Sequence, residues 1–318
     1  MMSCEDNFKL TKLSCYLANI YGPKLAMHLG NKHDYFGIDF ELMKNGSLEV
    51  SMFKYLDSII EELPELITGK AATPVTDHLF SVRDADEAKY PAFHHTTAQL
   101  LFLSSQARRD IRTAVSFLTT RVKKPNEEDW GKLKRALKYL YGTRRLKLSL
   151  TIESMEVTKW FVDGSHNTQW DCKIHGGAMM VMGCGAISSY SRRIKVNTRS
   201  STETKLVSVD AYMPEVLWSL YFIQAQGYGV KYAKIHQDNV SAQMLETNGK
   251  FSRSRKTKHI KAKFFFIKDK VDSEEVKIVD CPEGVMWEYL LTKSLQGAEF
   301  RKMRAQLMNC SMEFIGEE

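Results

Sequence analysis

Cysteine is scarce in this chain of 318 residues, and the cysteines that it has are not arranged in pairs. The six stand far apart, and no two of them have a Cys-x-x-Cys spacing. Close pairs are typical of structural zinc sites and redox motifs, whereas dense disulfide frameworks belong to small secreted proteins. We therefore expect free thiols, a reduced intracellular setting and no zinc site.

Long uncharged runs are also missing. No stretch approaches the roughly 20 apolar residues that a membrane-spanning helix needs. The N-terminus, MMSCEDNFKLTK, carries acids and lysines where a signal peptide has an apolar core. The sequence thus predicts a protein without a membrane anchor, located in the cytoplasm or the nucleus.

The chain does have an ordinary share of apolar side chains and a small excess of positive charge. Hydrophobic residues make up 43% and charged residues 26%, with a net charge of +7 and a pI of about 8.9. This composition is typical of globular proteins, and the length is sufficient for two domains with separate cores. The mildly basic charge is compatible with a nucleic-acid partner but does not require one.

Residues 1–150 are predicted to be rich in helices, with one β-hairpin. Apolar and polar residues alternate over 34–43 as in one strand, and Asn45-Gly46 offers a tight turn before a return strand. Helical spacing of apolar residues predicts a continuous helix over 94–122 and another over 127–141. We place a domain boundary near the end of this half.

Residues 151–295 switch between strand and helix patterns in the order β-β-β-α-β-α-α-β. The longest helix, predicted over 201–226, carries an apolar stripe whose members are spaced by three and four residues. A further helix is predicted within the C-terminal segment 296–318. This order predicts an α/β domain with a mixed sheet.

Three carboxylates stand at the ends of predicted elements. Asp163 ends the apolar run in TKWFVDGSH, Glu203 opens the long helix, and Asp238 ends the run in AKIHQDNVSA. Such acids can converge on divalent metal ions, as in two-metal phosphodiester chemistry. Each acid taken singly also has a structural interpretation, as a turn cap, as a partner of the helix dipole and as a helix N-cap respectively. The three together favour the metal site.

Several longer segments are similar to the ribonuclease H domain of copia-type LTR retrotransposon Pol polyproteins. In family order they are FVDGSH, GAISSYSRRIKVNTRSSTETKLV, PEVLW, HQDNVSAQML, SRKTKHIKAKFFFIKDKV, VKIVDCPEG and LLTKSLQG. Upstream, AQLLFLSSQARRDIRTAVSFL and WGKLKRALKYLYGT resemble the segment that joins reverse transcriptase to ribonuclease H. The resemblance implies an α/β, ribonuclease H-like mixed five-stranded sheet with flanking helices over 151–295. It also implies a helix-rich α+β remnant of the reverse-transcriptase thumb and connection over 1–150.

The same resemblance implies a reaction, which is hydrolysis of the RNA strand of RNA–DNA hybrids with two Mg²⁺ (or Mn²⁺) ions. Asp163 would bridge both ions, and Glu203 and Asp238 would hold the metal at the leaving group. His259 is the candidate for product or proton transfer. The alternative for His259, a backbone-bonded histidine at a helix N-terminus, stays open.

Two departures from the family pattern bear on activity. The fourth family carboxylate stands shortly before Thr-Lys, where this chain has Tyr289, and a phenol is a poor magnesium ligand. Glu288, one residue earlier, is a weak substitute because neighbours on a helix point about 100° apart. We therefore expect impaired cleavage, and the alternative is a catalytically dead nucleic-acid-binding relic.

No polymerase activity is expected. The chain contains no Asp-Asp pair, and the resemblance begins downstream of the Tyr-x-Asp-Asp motif of the family's polymerase palm. Other parts of a Pol polyprotein are implied as partners.

Basic residues near the proposed site are predicted to follow a nucleic-acid backbone, with a solvated helix face as the alternative. These residues are Arg192, Arg193, Lys195, Arg199, Arg253, Arg255, Lys256 and Lys258. Among the aromatic residues, Trp130, Trp160 and Trp218 are predicted to pack in cores. His166 and His175 are predicted to be loop histidines because their spacing matches no common metal-ligand pattern.

Overall fold

The computed structural model describes residues 7–25, 30–83, 91–248, 258–281 and 286–313. Its α-helices are α1 Asn7–Tyr21, α2 Phe53–Glu61, α3 Pro91–Gln106, α4 Arg112–Arg121, α5 Glu127–Gly142, α6 Ser201–Ala225, α7 Val240–Asn248, α8 Lys258–Asp272, α9 Tyr289–Thr292 and α10 Gly297–Met308. Its strands are β1 Lys32–Tyr35, β2 Ile38–Leu42, β3 Leu48–Ser51, β4 Leu148–Leu150, β5 Val157–Ser165, β6 Ile174–Val181, β7 Ser188–Ile194, β8 Tyr232–Gln237 and β9 Val276–Asp280. Within these described ranges, no helix combines the length and the apolar character needed to cross a membrane.

The first sheet has the strand order β1-β2-β3-β4, and all neighbouring strands are antiparallel. The chain turns at Asn45-Gly46 as predicted. The prediction of one strand over 34–43 is wrong, because Phe36 and Gly37 have φ angles of 53° and 73° and reverse the chain there. Strand β4 was not predicted. It lies in a polar segment and becomes a strand only by pairing with β3.

The prediction of one continuous helix over 94–122 is also wrong. Helices α3 and α4 are separated by a short 3₁₀ turn, Arg109–Ile111. Arg108 leaves the helical conformation, with φ −101° and ψ 67°, and its guanidinium forms a buried ion pair of 2.8 Å with Asp110. The hydroxyl of Tyr139 on α5 donates to the same carboxylate at 2.6 Å. A buried ion pair needs such additional hydrogen bonds, and the break in the helix supplies the geometry for them.

The second sheet has the order β7-β6-β5-β8-β9. Strands β5, β6 and β7 form an antiparallel meander, whereas β8 and β9 run parallel to β5. Helices α6, α7 and α8 connect the parallel strands. The predicted fold class, a mixed five-stranded sheet with flanking helices, is thus confirmed.

Helix α6 begins after the N-cap Ser200 and continues through Pro214. Its predicted apolar stripe is buried against one face of the second sheet, together with a residue of α8. This core contains Trp160, Leu206, Val209, Met213, Val216, Ile235 and Ile267. The stripe therefore fixes the rotation of α6 and so the direction in which its first turn faces.

The opposite face of the second sheet packs against the first half of the chain. One core joins the two halves, with α4 and α5 on one side and β5, β6, α9 and α10 on the other. Its members include Phe117, Leu118, Leu137, Phe161, Met179, Val181, Leu291, Phe300 and Leu307. The boundary near residue 150 falls between the two sheets, and the division into separate domains stays a prediction.

Two side-chain predictions are wrong. Trp218 is 65% exposed and stacks on Phe222 rather than packing in a core, because it lies outside the apolar stripe of α6. His175 is not a loop residue but is fully buried in β6, where it is hydrogen-bonded to Gln169 and Ser191. Burial lowers the pKa of His175 to about 3, so that it is neutral at physiological pH.

Candidate active site

Asp163 and Asp238 lie at the same edge of the second sheet. Strands β5 and β8 are parallel neighbours, with Phe161 opposite His236. Asp163 follows Phe161 by two residues, and Asp238 follows His236 by two residues. The two carboxylates are therefore level with each other along the neighbouring strands. The structure thus brings these two predicted site residues to the same place.

A lysine lies between the two aspartates. The Lys205 ammonium, from the first turns of α6, donates to Oδ1 of Asp163 at 3.0 Å and to Oδ1 of Asp238. The Lys205 side chain is only 12% exposed. Burial alone would lower the pKa of Lys205, but the charges and hydrogen bonds of the two aspartates outweigh burial and raise it. The lysine is therefore charged, and the two aspartates share it as a hydrogen-bond donor.

Glu203 does not join Asp163 and Asp238. Its carboxylate accepts a hydrogen bond from the backbone N–H of Arg199 at 2.7 Å, and its own N–H donates to the Ser200 hydroxyl at 3.2 Å. Both hydrogen bonds stabilise the N-terminus of α6, where Ser200 is the N-cap. Among the described residues, no group of three or more His, Cys, Asp or Glu side chains is arranged to hold a metal ion. The predicted convergence of three carboxylates is thus not found, and the catalytic roles stay predictions.

The remaining oxygens of the two aspartates are held by hydroxyl groups. Oδ2 of Asp163 accepts from the Thr292 hydroxyl at 3.1 Å, and Oδ2 of Asp238 accepts from the Tyr289 hydroxyl at 3.0 Å. Tyr289 thus lies beside the site as predicted. Burial, followed by the charge of Asp238, raises the pKa of this phenol, so that it remains a neutral donor.

Glu288 is fully buried, and neither of its carboxyl oxygens has a hydrogen-bond partner in the part of the chain that the structure describes. Burial raises the pKa of Glu288 well above its ordinary value, and the charge of Asp163 raises it further. Both effects favour the neutral form of this carboxyl over the charged form.

A cleft of about 440 Å³ opens beside the aspartates. Its lining combines two lysines, a histidine and several hydroxyl groups with a single acid. The lining residues are Asp163, Gly164, Ser165, His166, Thr168, Lys205, Lys293 and Ser294. The Lys293 ammonium lies 3.6 Å from the centre of the Tyr289 ring. This cleft offers cations and hydrogen-bond donors to an anion such as a phosphodiester.

The predicted basic surface is described only in part. Arg192 is paired with Glu215 at 2.9 Å, and Arg193 is paired with Asp171. Lys195 and Arg199 are exposed. The predicted residues Arg253, Arg255 and Lys256 lie outside the described residues. Lys258 and His259 begin α8, but the description does not extend to their side chains.

The donors at the sheet edge do not fit a magnesium ion. Mg²⁺ prefers carboxylate and water oxygens in an octahedral arrangement. Here Oδ1 of each aspartate accepts a hydrogen bond from the Lys205 ammonium, Tyr289 presents a neutral phenol, and burial favours the neutral form of Glu288. This set of donors therefore does not support a hydrolytic step through bound metal.

The sequence-based reasoning missed Lys205, although a signal was present. Lys205 lies four residues before Val209 and thus continues the apolar stripe of α6 toward the sheet. A lysine in a core-facing position needs a buried partner of opposite charge. The structural role of Glu203 also had a signal in the sequence. Ser200 and Glu203 have the Ser-x-x-Glu spacing that is typical of a helix N-terminus.

No protein-family model matches the chain. It is 25% identical over 262 residues to the Retrovirus-related Pol polyprotein from transposon TNT 1-94 of Nicotiana tabacum, covering 80% of this chain and 20% of that protein. It is also 25% identical over 283 residues to the corresponding polyprotein from transposon RE2 of Arabidopsis thaliana, covering 86% of this chain and 19% of that protein. The chain therefore spans about one fifth of the length of these curated relatives.

The chain also matches solved structures, with TM-scores below 0.5. The foamy viral protease-reverse transcriptase in complex with an RNA/DNA hybrid has a TM-score of 0.48 at 13% identity, covering 93% of this chain and 36% of that one. The RNase H1 of Halobacterium salinarum has a TM-score of 0.31 at 11% identity, covering 42% of this chain and 90% of that one. Over 80–86% of its length, the chain is thus similar in sequence to retrovirus-related Pol polyproteins of transposons.

Proposed function

We propose that residues 151–295 form a ribonuclease H-type domain that binds RNA–DNA hybrids without hydrolysing them. The observation that carries the proposal is the position of the Lys205 ammonium between Asp163 and Asp238. Two-metal hydrolysis needs metal ions at such carboxylates. The ammonium neutralises the same oxygens, whereas the lysines and hydroxyls of the cleft favour contact with a phosphate backbone.

Hydrolysis is tested with a labelled RNA–DNA hybrid in Mg²⁺ and in Mn²⁺. We expect the unchanged chain and an Asp163→Asn variant to leave the hybrid equally intact, because the site lacks the ligands for two metal ions. Metal-dependent cleavage that disappears in Asp163→Asn would instead establish the second candidate, an impaired hybrid ribonuclease. That candidate is favoured by one observation, the level placement of Asp163 and Asp238 on neighbouring strands.

Binding is tested through Lys293, which lines the cleft and is exposed. Lys293→Gln is expected to weaken binding of a fluorescent hybrid several-fold at low salt. It should also reduce the slope of log Kd against log salt by about 0.9, the value for one lost phosphate contact. Fluorescence anisotropy over a series of salt concentrations measures both quantities.

Lys277 provides a matched control for this experiment. Its ammonium also lies over a tyrosine ring, 4.1 Å from the centre of Tyr232, but it is not part of the cleft. Lys277→Gln should bind the hybrid like the unchanged chain. Equal affinities and equal salt slopes for Lys293→Gln and Lys277→Gln would contradict hybrid binding along this cleft.

A further inference from the structure

We propose that His166 determines strand specificity in the cleft. Its Nε2 atom accepts a hydrogen bond from a ribose 2′-hydroxyl of the bound strand, so that the cleft selects RNA over DNA. The inference rests on the proposed function, hybrid binding along this cleft, and adds how one strand is distinguished from the other. His166 directly follows β5 and lines the cleft together with Asp163, Lys205 and Lys293.

Two threonines hold the other ring nitrogen of His166. Nδ1 lies 3.1 Å from the Thr198 hydroxyl and 3.0 Å from the Thr204 hydroxyl, and these two hydroxyls are 2.6 Å apart. Thr204 is fully buried in the first turn of α6, and Thr198 lies in the segment that leads into this helix. The protein therefore fixes the imidazole through its Nδ1 edge.

The hydroxyl protons determine which nitrogen of His166 carries hydrogen. The Thr204 hydroxyl donates to the carbonyl oxygen of Ser200 at 3.0 Å, and a carbonyl oxygen can only accept. Because each hydroxyl has one proton, the Thr198 hydroxyl is the donor in its contact with Thr204. Neither hydroxyl has a proton left for Nδ1, so Nδ1 carries the hydrogen and donates it to both oxygens. The hydrogen-bond network thus assigns the tautomer.

The assigned tautomer leaves Nε2 as an acceptor. In an uncharged imidazole one nitrogen carries hydrogen and the other presents a lone pair. Among the residues that the structure describes, the hydrogen bonds of His166 are all made at Nδ1. Nε2 is also not one of the buried polar atoms that lack a partner, so it is accessible to solvent. The lone pair is therefore available to a molecule in the cleft that His166 lines.

The charged groups of the cleft cannot use this lone pair or replace it. The ammonium groups of Lys205 and Lys293 only donate hydrogen bonds, which suits phosphate oxygens. The carboxylate of Asp163 is already engaged, since Oδ1 accepts from Lys205 and Oδ2 accepts from Thr292. Nε2 of His166 is thus an acceptor that is left for a donor on the bound strand.

The backbone of a nucleic-acid strand offers one kind of donor to such an acceptor. Its phosphate oxygens only accept, and deoxyribose has no hydroxyl group at the 2′ position. The 2′-hydroxyl of ribose can donate, and it is the group by which proteins distinguish RNA from DNA. A 2′-hydroxyl therefore matches Nε2 of His166, whereas the lysines match the phosphates that RNA and DNA share.

The test compares two hybrids that differ only at the 2′ position of the RNA strand. One carries 2′-hydroxyl groups, and the other carries 2′-fluoro groups, which cannot donate. In fluorescence anisotropy, the unchanged chain should bind the hydroxyl hybrid on the order of fivefold more tightly, the effect of about one hydrogen bond. His166→Phe should bind both hybrids equally. His166→Gln, whose amide oxygen can take the place of Nε2, should retain part of the preference.

Two variants serve as controls. His95→Phe replaces a histidine that also has a hydrogen-bonded ring, 3.4 Å from Glu62, but is not part of the cleft, and it should keep the full preference. Lys293→Gln should weaken binding of both hybrids by the same factor, because both have the same phosphates. Nitrogen NMR of the free protein reads the tautomer of His166 without nucleic acid and should show hydrogen on Nδ1 alone.

Three results would overturn the proposal. Equal binding of both hybrids by the unchanged chain would show that Nε2 does not contact the 2′-hydroxyl, while hybrid binding itself would stand. Full preference in His166→Phe would assign the discrimination to another residue. Hydrogen on Nε2 in the NMR spectra at neutral pH would remove the acceptor. Absence of binding to either hybrid would contradict the proposed function, and this inference with it.

Discussion

Asp110→Asn is expected to lower the free energy of unfolding by about 3–5 kcal/mol, the range for breaking a buried ion pair. Asp110 is 2% exposed and accepts two hydrogen bonds from Arg108 and one from Tyr139. The substitution leaves the Arg108 guanidinium charged, buried and without a counter-charge. Chemical denaturation monitored by circular dichroism measures the change.

Two controls distinguish the buried charge from other effects. Glu41→Gln breaks the exposed pair of Lys32 and Glu41, 2.8 Å apart, and should have no measurable effect. Adding Arg108→Met to Asp110→Asn removes both charges, so the double variant should lose less stability than the sum of the single ones. Strictly additive losses would show that the ion pair is not the cause.

The pH dependence of stability follows from the same carboxylate. Burial would raise the pKa of Asp110, but the charge and hydrogen bonds of Arg108 outweigh it and hold the pKa below the ordinary value of 3.8. Its contribution is therefore complete above pH 3.8 and is lost as the pH falls through the lower folded-state value. The stability of Asp110→Asn should accordingly depend less steeply on pH in that acidic range.

A chain that begins at residue 151 is expected not to fold cooperatively. The face of the second sheet that includes Phe161, Met179 and Val181 is covered by the first half of the chain. Direct contacts join the halves as well, including Phe80 on His175 with ring centroids 4.7 Å apart. Without residues 1–150, a large apolar face would be exposed to water, which favours aggregation.

Near-ultraviolet circular dichroism and calorimetry of the truncated chain test this expectation, with the full chain as the reference. Adding residues 1–150 as a separate polypeptide should restore a cooperative unfolding transition, since the missing half of the core is then supplied. A monomeric truncated chain that unfolds cooperatively by itself would contradict the expectation. It would also support the division into independent domains near residue 150.

The sequence predicted the second half of the fold well, because apolar periodicity determines which faces become buried. The stripe through Leu206, Val209 and Met213 predicted α6, and its burial is confirmed. The first half was predicted less well. The turn at Phe36-Gly37 depends on positive φ angles, which cannot be predicted from the alternation of apolar and polar residues. Strand β4 exists only through its pairing with β3.

At the site, Asp163 and Asp238 were predicted together because each ends an apolar run, and in the structure they meet because β5 and β8 are parallel neighbours. Glu203 was assigned to the metal because of its place in the family motif, but its hydrogen bonds hold the helix N-terminus. The choice between Glu203 and Lys205 depends on the rotation of α6 against the sheet. That rotation arises from packing, which local sequence patterns describe only indirectly.

Lys205 also has a consequence for the dependence of this fold on dissolved ions. Where a cluster of acids needs dissolved cations to balance its charge, the stability of the protein depends on the cation concentration. Here the compensating charge is encoded in the chain and arrives with the first turns of α6. The charge balance at this edge of the sheet therefore does not depend on the magnesium concentration.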